Sequence, residues 1–113
     1  MRPALLKRLV DAEKAARAAV SFCKGKTFEQ YSKDEILRSA VERQLEILGE
    51  ALNRALVDES SLEKRIPEAR RIVGIRNRII HGYDSVDDEI LWDVVRTKLE
   101  ALAELLQREI TEG

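Results

Sequence analysis

The chain has 113 residues, 44% hydrophobic and 36% charged, with a formal net charge of -1 and no apolar run near the ~20 residues that a membrane span needs. That length fits one domain, residues 1–113, while 5 glycines and 2 prolines leave too few turn residues for a many-stranded β fold. The near-zero charge excludes global attraction to nucleic acid or membrane, and a lone Cys23 with a lone His81 excludes an internal disulfide and a one-chain zinc site of the Cys and His type.

Pro3 suits a first helical turn, and Leu5, Leu9, Ala12, Ala16, Ala19 and Cys23 follow at spacings of four and three, which predicts one helix with one apolar stripe. The N-terminal segment meets Lys7, Arg8 and Asp11 before any signal-peptide core can form, so the expected location is cytoplasmic. Gly25 ends the first helix, and Ser32 with Glu35 forms a capping-box pattern that opens a second. Ile36, Leu37, Ala40, Val41, Leu45, Leu48, Leu52 and Leu56 give this helix a buried face to about residue 57, with Gly49 placed to allow a close helix approach.

Residues 58–66 lack a clean period, and Pro67 starts a third helix that Gly82 terminates in the left-handed cap conformation. Ser85 with Asp88 marks another start, after which Val86, Ile90, Leu91, Val94, Leu99, Leu102, Leu106 and Ile110 predict one long fourth helix. The expected fold is all-α, an up-and-down four-helix bundle with mostly short loops.

The charge is uneven along this frame. Lys64, Arg65, Arg70, Arg71, Arg76 and Arg78 against Glu68 give residues 64–83 a local +5, and Asp84, Asp87, Asp88, Glu89 and Asp93 give residues 84–93 a local -5. Acids at a helix start favour the dipole and basic faces are commonly just solvated; alternatively, the arginines collect phosphates through bidentate contacts, which makes Arg70, Arg71 and Arg78 phosphate-binding candidates. His81 ends the third helix, four residues after Asn77 on the same face, where the amide can orient the ring. A histidine in a last turn also serves simply to cap carbonyls, and Tyr83 has its own plain reading as a half-buried aromatic.

RNRIIHGY, from Arg76 to Tyr83, resembles the motif of the HEPN superfamily, in which Arg is followed after four to six residues by His, any residue and Tyr. Together with VERQLEILGEA upstream and YDSVDDEILWDVV downstream, it is similar to the HepT family, the toxins of type VII HepT/MntA toxin–antitoxin pairs. The resemblance implies a HEPN-like helical fold and a homodimer whose two motifs share one cleft. It also implies a metal-independent endoribonuclease that needs no cofactor, with Arg76 and His81 catalytic and Asn77 supporting. Tyr83 is the implied target of a cognate MntA-like nucleotidyltransferase antitoxin, which uses ATP to attach AMP and silence the toxin.

The chemistry of these residues suits that implication. RNA breaks without metal when its 2′-hydroxyl attacks the adjacent phosphate; an imidazole can move the proton, and a guanidinium can neutralise the charge that builds on phosphorus. Two alternatives are a non-catalytic accessory subunit that positions substrates for a nucleotidyltransferase, and a purely structural homodimer. Phe22, Phe28, Tyr31 and Trp92 are assigned to the core or a dimer seam.

Overall fold

A computed structural model describes residues 1–82 and 87–112. Its elements are α1 (Pro3–Cys23), α2 (Phe28–Lys33), α3 (Glu35–Asp58), α4 (Leu62–Arg65), α5 (Ala69–His81), α6 (Asp88–Thr97) and α7 (Leu99–Glu112). The all-α expectation holds, with no strand among the described residues, but four helices become seven.

Local chemistry explains each departure. The capping box belongs to Thr27 and Gln30, whose side chains bond each other's backbone N–H at 3.1 and 2.9 Å and open α2. Ser32 is no cap: its hydroxyl donates to the Glu29 carbonyl, and Asp34 caps α3 by accepting from Leu37 N at 3.0 Å. The aperiodic stretch contains the single turn α4, and α5 begins at Ala69, two residues after Pro67. Asp87 accepts from Glu89 N to start α6, while Ser85 and Val86 lie outside the described residues. The long fourth helix breaks at Lys98, beside Thr97, whose hydroxyl donates to the Asp93 carbonyl at 2.7 Å, the back-bonding that bends helices.

The apolar stripes meet in one cluster built on Leu9, Leu45, Leu48, Leu52, Ile72, Leu91, Leu99, Leu102 and Leu106. The α3 stripe runs through Leu37, Val41, Leu45, Leu48 and Leu52, so Ile36, one residue off it, is 83% exposed, contrary to expectation. Ile90 in the first turn of α6 is likewise exposed. Tyr31 is fully buried against Trp92, ring centroids 5.3 Å apart, and Phe28 flanks the same indole, whereas Phe22 is exposed. Cys23 is buried as a free thiol.

α3 lies between α1 and α5, and α1 lies between α3 and α7. Neighbours run antiparallel: Arg2 at the start of α1 donates to the Asp58 carbonyl at the end of α3, and Arg17 of α1 donates to Gln107 of α7 while Lys24, just past the end of α1, lines one surface cleft with Glu100 at the start of α7. The up-and-down course is therefore as expected, and it brings the middle of α5 against the second half of α3.

Candidate active site at the end of the basic helix

α5 buries Ala69, Ile72 and Ile75 against the bundle, and Arg76 follows Ile72 by four residues on the side facing α3. Its side chain therefore leaves α5 across the α3 backbone. Gly49 makes room, because a Cβ there would fall 2.3 Å from Arg76 Cβ and 2.9 Å from its Cγ. The close approach expected at Gly49 is present, and its partner is the motif arginine.

Two acceptors hold the guanidinium. Arg76 Nη1 donates to Asn77 Oδ1 at 2.9 Å, and Nη2 donates to Glu50 Oε2 in an ion pair. Nε is buried without a partner among the described residues, and the side chain is 22% exposed. Asn77, expected beside the imidazole, thus uses its Oδ1 for the arginine. Glu50 is not among the site residues expected from the sequence; it lies next to Gly49, inside the upstream segment VERQLEILGEA that resembles the HepT family.

His81 is exposed in the last turn of α5, together with Arg78, where the helix's negative end favours a cation. Gly82 closes the helix at φ 62°, its N–H bonding the Arg78 carbonyl, which matches the predicted stop. Tyr83 lies outside the described residues.

The remaining arginines are spread along the helix. Arg70 Nε donates to Glu63 at 2.9 Å, and that hydrogen bond, with the guanidinium charge, lowers the Glu63 carboxyl below its ordinary range. Arg71 stands 4.0 Å from Glu68. Both begin α5, about 16 Å along its axis from His81 at 1.5 Å per residue. Arg78 has no ion-pair partner among the described residues.

In the first turn of α3, Arg38 lies 3.9 Å from Asp88 of α6. Burial, then the Asp88 charge, raises the Glu42 carboxyl, and burial also pushes the Tyr31 hydroxyl up. No helix of the described residues is long and apolar enough to cross a membrane.

The profile of the family described as HepT-like, Ribonuclease HepT-like, matches residues 12–109. The chain belongs to this HepT-like ribonuclease family. "Putative RNase TTE0752" of Caldanaerobacter subterraneus subsp. tengcongensis is 33% identical over 90 residues, covering 76% of this chain and 80% of that protein. "Probable ribonuclease HepT" of Thermococcus cleftensis is 33% identical over 94 residues, covering 83% and 84%. "Putative RNase MJ0127" of Methanocaldococcus jannaschii is 30% identical over 91 residues, covering 80% and 74%. No solved structure matches the chain. The resemblance to HepT and the HEPN superfamily read from RNRIIHGY is thereby established, and with it the HEPN-like fold class.

Proposed function

We propose that this HepT-like chain is the toxin of a type VII pair, an endoribonuclease that cleaves RNA without a metal ion. The observation that carries the reading is the anchored Arg76 guanidinium, held by Asn77 and Glu50 five residues before the exposed His81 in a chain of a ribonuclease family. The RNA 2′-oxygen attacks the adjacent phosphorus as an imidazole takes its proton. The bond to the 5′-oxygen breaks, that oxygen receives a proton, and a 2′,3′-cyclic phosphate remains. Arg76 donates to the non-bridging oxygens as negative charge builds on them.

One imidazole per chain does not supply base and acid at once. A homodimer with a two-fold axis at the cleft gives two copies of His81 and of Arg76 to one site. Arg70, Arg71 and Arg78 then follow the RNA backbone beyond the scissile phosphate.

The cognate MntA-like nucleotidyltransferase would silence this site by joining Tyr83 to AMP. The phenolic oxygen attacks the α-phosphorus of ATP, pyrophosphate leaves, and a phosphodiester with one negative charge stands two residues from His81. That charge and bulk oppose an RNA phosphate in the same place. Expression of the chain in cells without its antitoxin tests the proposal: growth should stop with the wild type and continue with His81→Ala at equal protein level. Continued growth with both would favour the accessory subunit.

A further inference from the structure

The reaction above leaves the Glu50 carboxylate without a role. We infer that Glu50 is a positioning residue for the cleavage reaction, fixing the Arg76 guanidinium across the α3–α5 contact; the inference rests on the ribonuclease reading.

Both carboxylate oxygens are engaged. Oε2 accepts from Arg76 Nη2, and Oε1 accepts from Arg54 Nε at 3.0 Å, one turn along α3. Glu50 is thus a locked acceptor rather than a free rotor. The stem of Arg76 is confined as well, because it passes over Gly49 with no space left for even a methyl group. With Nη1 on Asn77 and Nη2 on Glu50, the plane of the guanidinium is defined by two bonds. Each terminal nitrogen keeps a second hydrogen for a phosphate oxygen.

A carboxylate beside a phosphate-binding arginine has a cost and a benefit that fall on different kinetic constants. It cancels part of the positive charge that attracts RNA, which weakens ground-state binding. It also presets the donors before charge develops on phosphorus, which lowers the barrier of the chemical step. Removing it should therefore slow turnover without weakening RNA binding. A residue that only held α3 to α5 would instead lower thermal stability. This pair is partly exposed, 40% for Glu50 and 22% for Arg76, and such pairs contribute little to folding.

The experiment measures kcat and KM of full-length wild type, Glu50→Gln, Glu50→Asp and His81→Ala on one RNA oligonucleotide, with melting curves for each. Glu50→Gln should lose about tenfold to a hundredfold in kcat, with KM equal or lower, since a small misplacement costs up to about 10². Glu50→Asp should recover part of the loss. Nitrogen-15 spectra of arginine-labelled protein should show Arg76 Nη signals resolved in the wild type and averaged by free rotation in Glu50→Gln.

If His81→Ala is inactive while Glu50→Gln keeps wild-type kcat, the role of Glu50 is overturned and the ribonuclease reading stands. A raised KM with unchanged kcat overturns it equally. If Glu50→Gln does not fold, an aspartate variant with wild-type kcat and averaged Arg76 signals overturns it. Wild type that cleaves no RNA brings down the ribonuclease reading and this inference together.

Discussion

Gly49 on α3 stands where the stem of Arg76 crosses from α5, and a Cβ at position 49 would fall 2.3 Å from Arg76 Cβ. Since Arg76 Cβ cannot move without the α5 backbone, and the Ile72 carbonyl oxygen lies 3.2 Å from the same point, relief requires the helices to part. Gly49→Ala should therefore destabilise the fold by about 1–3 kcal/mol through overpacking, against a helix-propensity gain of about 1 kcal/mol. Gly74 on α5 is the internal control. A Cβ there meets nothing within 4 Å, so Gly74→Ala should raise the melting temperature. Thermal unfolding of the two variants should show opposite signs.

Asp34 begins α3, the helix that carries Gly49 and Glu50. Its carboxylate accepts from Leu37 N at 3.0 Å, and Asp34→Ala should cost about 1 kcal/mol, or roughly 4 °C in melting temperature. Asp34→Asn keeps the acceptor and should recover most of the loss. Ser32→Ala, by contrast, removes only a hydroxyl bonded to the Glu29 carbonyl and should leave the melting temperature near that of wild type.

Glu42 faces Asp88 and Arg38, with Glu46 one turn away and the Tyr31 hydroxyl close by. Because burial and then Asp88 raise its carboxyl, the folded chain binds this proton more tightly than the unfolded chain does. Its contribution to stability is present below the ordinary carboxylate range and is lost as pH rises through the raised folded value. Glu42→Gln should accordingly melt above wild type near neutral pH, and the gap should close as pH falls to about 4. Melting curves across that range check the sign.

Tyr83 is the proposed acceptor of AMP. Incubation with ATP and an MntA-like nucleotidyltransferase should raise the intact mass by one adenylyl group and stop RNA cleavage. Tyr83→Phe lacks the phenolic oxygen and should gain no mass. A Tyr83→Phe chain modified as fully as the wild type would place the acceptor elsewhere.

The helices were legible because their apolar residues repeat at three and four, and the stops at Gly25 and Gly82 because both adopt positive φ, 74° and 62°. The start of α3 was misread at Ser32. Thr27, Ser32 and Asp34 all offer side-chain oxygens within eight residues, and only the fold decides which one meets a free N–H. The break at Lys98 has no signal in the apolar period, which continues through Leu99 and Leu102. At the candidate site, local spacing placed Arg76, Asn77 and His81 on one helix. Glu50 lies 26 residues upstream of Arg76, and its pairing follows from helix packing, which spacing along one helix does not encode.

In the proposed reaction, Arg76 and His81 cleave RNA without a metal ion. Wild type and His81→Ala, each shown unmodified by intact mass, are incubated with labelled RNA in EDTA, and the products are analysed for 2′,3′-cyclic phosphate ends. Cyclic-phosphate products are expected from the wild type, and intact RNA with His81→Ala. Equal cleavage by the two proteins, or intact RNA with both, would rule this reaction out.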